Sequence, residues 1–135
     1  MLSLRAKIIQ HIRDFFVKKN FLEVETPILS STLIPDCHLE IFKTEYIDQW
    51  SGISRPLYLA PNQDTFMRRL VSQYKCNMFQ ISKSFRNLEA MTKIHNPEFT
   101  MLQFYVMNFN YLQITKLIEE LFASIMPMAD RKSVV

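Results

Sequence analysis

Apolar residues recur along this chain with two alternating periods, and each change of period marks an element boundary. Leu4, Ile8, Ile12, Phe15 and Phe16 lie on one stripe at helical spacing, with Arg5, Lys7, Arg13 and Asp14 largely off it. This predicts an amphipathic helix from about Leu4 to Lys19, with Ser3 suited to the N-cap and Asn20 to the stop. The pattern then alternates in Phe21–Leu29, where Leu22 and Val24 are interleaved with Glu23 and Glu25. That is a short strand, which Pro27 closes or marks as an edge. Ser30 to Asp36 reads as loop. His38 to Tyr46 is a strand with Leu39, Ile41 and Lys43 on one face, Gln49 to Arg55 is a turn, and Pro56–Leu59 is another short strand.

Asn62 then caps a second helix that runs to about Tyr74, with Phe66, Leu70 and Val71 as its apolar side. Asn77–Phe85 alternates again, with Phe79, Ile81 and Phe85 pointing one way. Asn87–Pro97 is a polar loop, and Glu98–Met107 is the longest strand signal in the chain. Asn110 caps the last helix, in which Ile114, Leu117, Ile118, Leu121, Phe122 and Ile125 recur at helical spacing. Consecutive strands around polar loops imply an antiparallel sheet flanked by helices, an α+β fold.

Composition agrees with a globular body and removes several functions. The 135 residues are 48% hydrophobic and 13% aromatic, enough for one domain with a real core. A net charge of +3, from 16 basic and 13 acidic side chains, permits a polyanion partner without implying one. The single glycine, Gly52, excludes any glycine-rich phosphate loop, so a nucleotide would have to be held by other means. Cys37 and Cys76 form no C-x-x-C pair, and with His11, His38 and His95 scattered the chain offers no zinc spacing. Reduced cysteines fit a cytoplasmic setting. The first residues, MLSLRAKIIQHIRDFF, are interrupted by charge and read neither as a signal peptide nor as a membrane span.

The informative stretch is Ser84–Tyr105, SFRNLEAMTKIHNPEFTMLQFY. One strand ends in Phe85-Arg86, a loop with Lys93 and His95 follows, and the returning strand puts Phe99, Met101, Gln103 and Tyr105 on one face. If the two strands pair, Arg86 comes near that face. A guanidinium fork suits phosphate, an aromatic face suits a nucleobase, and Glu89 could accept from an exocyclic amine. By spacing alone the same residues also read as a solvated ion pair beside core aromatics.

Phe85-Arg86-Asn87 and His95-Asn-Pro-Glu-Phe-Thr100 resemble motif 2 of the class II aminoacyl-tRNA synthetases, in its lysyl form, over about residues 77–107. Phe21-Leu-Glu-Val-Glu-Thr-Pro27 with its preceding helix resembles motif 1, over about residues 5–29, where the family's proline lies at a dimer interface. Thr32–Phe42, with Asp36, His38 and Leu39, is most similar to the lysyl-type paralogues that attach β-lysine to elongation factor P. Residues 1–129 then represent the N-terminal part of a catalytic domain.

The resemblance implies roles position by position. Arg86 would bind the α-phosphate of ATP and the activated carboxylate. Glu89 would sit by the adenine amino group, His95 by the γ-phosphate, and Phe99 on the adenine ring. Asp64 matches the acidic position for the substrate's α-amino group, and Gln103 and Tyr105 match positions that read the lysine side chain. Pro27 would lie at a homodimer contact. The implied reaction is adenylation of lysine or β-lysine with ATP and Mg2+, then transfer to elongation factor P or, in the other reading, to tRNA. A non-catalytic paralogue is a third reading.

Several positions depart from the family pattern. Leu88 intervenes before Glu89, Lys93 stands near where an arginine is usual, Asp64 replaces a longer Glu, and Gln103 replaces a glutamate. The glycine-rich motif 3, with its second arginine, is absent from the sequence, as are the family's metal-binding acidic residues, so the chain alone is expected not to catalyse adenylation. Asp130–Val135 follows the last helix and belongs to no predicted element. The same residues result from translating a common sequencing-adapter sequence, so this tail is expected to be non-native and the reading frame cut short.

Overall fold

The computed structural model describes residues 2–32, 39–88, 92 and 95–129. It is an α+β arrangement of three helices and two three-stranded sheets. In chain order the elements are α1 (Leu2–Lys18), β1 (Leu22–Glu23), β2 (Leu29–Ser30), β3 (Lys43–Ile47), β4 (Ser54–Leu59), α2 (Asp64–Tyr74), β5 (Met78–Phe85), β6 (Glu98–Tyr105) and α3 (Tyr111–Ala129). The expected tail at 130–135 lies outside the described residues.

Helix α1 ends as its sequence predicts. Asn20 takes φ 60°, a left-handed conformation that asparagine tolerates. Asn20 N–H then donates to Val17 C=O at 3.0 Å, and Phe21 N–H donates to Phe16 C=O at 3.0 Å. These two bonds form a Schellman end, and its usual apolar contact is made by the rings of Phe16 and Phe21, 5.1 Å apart. The last helix opens with a reciprocal cap. Gln113 N–H donates to Asn110 Oδ1 at 3.0 Å, and Asn110 N–H donates to Gln113 Oε1 at 2.8 Å.

The core lies between α1, α3 and one face of the first sheet. Phe16, Phe21, Phe79, Leu117 and Leu121 are buried together, with Ile81, Leu102 and Phe104 packed against them. Phe16 is its centre. Its ring stacks on Phe79 at 5.0 Å and tilts against Phe104 at 5.2 Å. Two side-chain links bring α1 and α3 together at the surface: His11 Nε2 with Ser124 Oγ at 3.0 Å, and Lys19 Nζ with Glu120 Oε2 at 2.6 Å.

The sheets differ from the single antiparallel sheet expected. The first has the order β1-β5-β6, and β1 runs parallel to β5, with Leu22 opposite Met78. Only β5 and β6 pair antiparallel there, from Met78 opposite Tyr105 to Phe85 opposite Glu98. The second sheet has the order β2-β4-β3 and is antiparallel throughout. The strand expected through Phe21–Leu29 divides between the two. Val24 N–H still donates to Phe79 C=O at 2.9 Å, then the chain leaves at Pro27, which has no N–H for a ladder. It re-pairs at Leu29–Ser30, past the proline expected to close the strand and into the first residue of the expected loop. The strand expected from His38 begins only at Lys43; before it, Glu40 makes an isolated bridge with Asn87, while His38 itself lies outside the described residues.

The turn between β3 and β4 explains the single glycine. Gly52 sits at φ 67°, in the region where only glycine is unstrained. Asp48 Oδ1 accepts from the N–H groups of Trp50 and Ser51 at 3.0 and 2.7 Å, which sets the turn. Ala60 joins the sheets: its N–H donates to Ile28 C=O at 2.8 Å and its C=O accepts from Phe85 N–H at 3.1 Å.

Truncating the central ring tests this account. Phe16→Ala should lower stability by about 3–5 kcal/mol, read as a fall in the urea midpoint at unchanged slope. Ile118→Ala, on the exposed side of α3, should change it by less than about 1 kcal/mol.

Candidate active site

Strand alternation gives the β5–β6 hairpin two chemically different faces. Phe79, Ile81, Leu102 and Phe104 face the helices. The opposite face carries Gln80, Ser82 and Ser84 from β5, and Phe99, Met101, Gln103 and Tyr105 from β6. The register places Ser84 opposite Phe99 and Gln80 opposite Gln103. Arg86 N–H donates to Pro97 C=O at 2.9 Å, which carries the pairing one step past Phe85 and keeps Arg86 in phase with Ser84. The Arg86 guanidinium carbon lies over the Phe99 ring, 5.1 Å from its centroid. Sequence alone left open whether these two side chains meet; the register brings them together on the polar face, and neither is wholly buried.

The residue inserted before Glu89 is accommodated outside the hairpin. Leu88 adopts φ 55° and is 81% exposed, and its N–H is held by Asn87 Oδ1 at 3.0 Å. Asn87 N–H in turn donates to Glu40 C=O at 2.9 Å, tying the loop's first residues to the segment before β3. Glu89 and Lys93 lie outside the described residues. His95 is exposed at the returning end of the loop, with Nδ1 2.9 Å from Thr92 Oγ1.

The start of α2 lies over the other end of the polar face. Asn62 is not the N-cap residue as expected, since the helix begins one position later, after Gln63. Its Oδ1 nevertheless accepts the first helical N–H, that of Asp64, at 3.1 Å. The buried side of the helix centres on Met67, whereas the expected Phe66, Leu70 and Val71 are half-buried.

Gln63 is wholly buried and both ends of its amide are bonded. Nε2 donates to Lys83 C=O at 2.9 Å, and Oε1 accepts from Ser82 Oγ at 2.9 Å and Ser84 Oγ at 3.4 Å. Its backbone N–H donates to Gln103 Oε1 at 2.9 Å. One residue on, Asp64 Oδ1 accepts the Tyr105 hydroxyl, and Asp64 Oδ2 pairs with Arg68 Nε at 2.7 Å. Partial burial, then the bond to Asp64, holds the Tyr105 phenol above its ordinary value of 10.0.

Asp64, Gln103 and Tyr105 are thus one cluster at the α2 end, and Arg86 with Phe99 is another at the loop end. Along the strand the ends are separated by about 13 Å. Pro27 is exposed and stands apart from both, at the switch between sheets. Sequence reasoning missed Gln63 and Arg68. The signal for Arg68 was its helical spacing from Asp64. For Gln63 the only hint was the run of polar β5 residues, Gln80, Ser82 and Ser84, opposite an apolar face.

Among the described residues no three His, Cys, Asp or Glu side chains converge on a metal-sized site. Among them too, no helix is long and apolar enough to cross a membrane.

A family model described as tRNA synthetases class II (D, K and N) matches residues 1–134, and the chain belongs to that family. Within it, the chain is similar to proteins named elongation factor P–(R)-β-lysine ligase. That of Haemophilus influenzae (strain PittGG) is 42% identical over 122 residues, covering 90% of this chain and 38% of the relative. That of Vibrio atlanticus is 41% identical over 110 residues, covering 82% and 34%. That of Buchnera aphidicola subsp. Acyrthosiphon pisum (strain Tuc7) is 46% identical over 101 residues, covering 75% and 31%. The chain therefore spans 38% or less of the length of these relatives.

The Tyr105 bond has a pH signature. A phenol raised on folding contributes stability that is complete below its unfolded value of 10.0 and is lost as pH rises through the higher folded value. The stability advantage of wild type over Tyr105→Phe should shrink as urea unfolding is repeated at increasing pH above 10.0. A difference that stays constant with pH would show that neither burial nor the bond to Asp64 raises the phenol on folding.

Proposed function

We propose that these residues supply the nucleotide-binding half of an ATP-dependent amino-acid-activating ligase of the lysyl-tRNA-synthetase type. The observation that carries this reading is Arg86 lying over Phe99 on the polar face of the hairpin, in a chain that ligase relatives match over 75–90% of its length. The proposed reaction is attack by a substrate carboxylate on the α-phosphorus of ATP, with pyrophosphate leaving. Such chemistry needs positioning and charge stabilisation rather than a nucleophilic side chain.

In this reading Arg86 holds the α-phosphate and the activated carboxylate, and Phe99 carries the adenine ring. Glu89 takes the adenine amino group, and His95, exposed at the loop's end, meets the γ-phosphate. Asp64, Gln103 and Tyr105 form the amino-acid end. The separation of about 13 Å between the two ends is of the order needed to lay out an aminoacyl-adenylate. Mg2+ would neutralise phosphate charge in the complete enzyme; the described residues gather no ligand set for it, so no step is assigned to it. Residues 1–129 would be the N-terminal part of the catalytic domain, and exposed Pro27 would meet a second copy in a homodimer. An ATP-consuming ligase of this kind would work in the cytoplasm.

The relatives' name supports elongation factor P as the acceptor, with lysine or β-lysine as the group carried. Transfer to tRNA is the alternative acceptor within the same family.

ATP–pyrophosphate exchange by the protein as expressed from its gene tests the reading. Arg86→Ala should cut exchange by about 100-fold or more. Phe99→Leu should raise the KM for ATP by about 5–100-fold, with kcat less affected. Exchange that survives Arg86→Ala intact would refute the assignment, and transfer assays against elongation factor P and tRNA would separate the acceptors.

A further inference from the structure

Resting on the reading of Asp64 as the group that receives a substrate's ammonium, we infer that Arg68 is a positioning residue of the amino-acid end: acting through Asp64, it holds that carboxylate in the orientation that leaves acceptor sites open to the ammonium. Three contacts fix Asp64. Its backbone N–H is taken by Asn62 Oδ1 at 3.1 Å, at the helix start that buried Gln63 anchors to β5. Its Oδ1 accepts the Tyr105 hydroxyl from β6, and its Oδ2 accepts Arg68 Nε at 2.7 Å from one turn further along α2. The Tyr105 hydroxyl, then the Asp64 carboxylate, raise the Arg68 guanidinium above its ordinary value. The three side chains thus close a triangle, with Asp64 held from two different elements.

An ionised carboxylate offers about four lone-pair sites. Tyr105 and Arg68 use one on each oxygen, so each oxygen keeps room for a further donor. The Asp64 side chain is 37% exposed, so a ligand can reach those sites. An ammonium brings three donors and a positive charge, and it meets both the open acceptors and their negative charge. The bonds from α2 and β6 restrain rotation of the carboxylate, so its orientation is set before the ligand arrives and that entropy is not lost on binding. Arg68 is itself 71% exposed, so water screens its charge from an incoming ammonium more than it weakens a direct 2.7 Å bond. The orienting effect therefore outweighs the repulsion between the two cations.

Titration calorimetry on the protein as expressed from its gene tests this, with lysine, (R)-β-lysine and ATP titrated separately. Arg68→Met should weaken whichever of the two amino acids wild type binds by about 5–10-fold, while ATP affinity stays within about twofold. Arg68→Lys, which keeps a cation at the same helical spacing, should recover part of the loss. Tighter amino-acid binding in Arg68→Met would make Arg68 a competitor of the ammonium. That result, unchanged binding, or an equal loss for ATP would overturn the inference. Urea unfolding supplies a ligand-free measure of the same hold on Asp64. The fall in midpoint caused by Tyr105→Phe should shrink by about half or more in the Arg68→Met background, and an undiminished fall would also overturn the inference. If wild type binds ATP but neither amino acid, the reading of Asp64 as the ammonium's partner fails, and the urea coupling alone decides whether Arg68 holds Asp64.

Discussion

The antiparallel pairing of β5 with β6 is the constraint on which the rest depends. Side chains alternate across a strand, so a single register decides the face of every residue in the hairpin. With Phe79 opposite Phe104, both rings enter the Phe16 core. The same register necessarily sends Ser84, Phe99, Gln103 and Tyr105 to the other side. A slip of one residue would put the glutamines against Phe16 and the rings in water. The apolar core thus also orients the polar site, and no separate interaction is needed to aim Arg86 at Phe99.

The polar face is held by a different kind of interaction. Burying a glutamine costs free energy unless each of its polar groups finds a partner. Gln63 finds them on β5, and its backbone finds one on β6. That satisfied network fixes where α2 begins, and so where Asp64 stands. Gln80 is the contrasting case. Its Oε1 accepts from Thr26 Oγ1 at 2.9 Å, yet its buried Nε2 meets no acceptor among the described residues. An unmet donor of this kind costs about 1–3 kcal/mol. The two amides meet the same face of β5, Gln80 from the strand and Gln63 from the start of α2, with opposite degrees of satisfaction.

Much of the local structure was legible in the sequence. The end of α1 and the start of α3 were, because Asn20 and Asn110 act through bonds to their own neighbours. The long hairpin and the common face of Phe99, Met101, Gln103 and Tyr105 were legible from alternation. Where reading failed, the partner was distant in the chain. The parallel β1–β5 pair joins Leu22 to Met78, and the short β2 is a strand only because β4 lies beside it. Gln63 reads as a polar residue next to a helix cap; its burial depends on Lys83, Ser82 and Gln103, none of them near in sequence. The motif 2 resemblance located the site but gave Asp64, Gln103 and Tyr105 as separate positions.

What the sequence determined by itself is therefore the three helices, the long hairpin with the face each of its residues takes, and the family, since these rest on periodicity, capping and motif spacing carried by contiguous residues. The tertiary structure alone decided which strands pair, that Asp64 is already occupied by Tyr105 and Arg68, and that the Gln103 amide turns its oxygen inward. The physical reason is that a hydrogen bond's direction is settled by the group on its far side, and here that group is supplied by a residue 40 positions away in the chain.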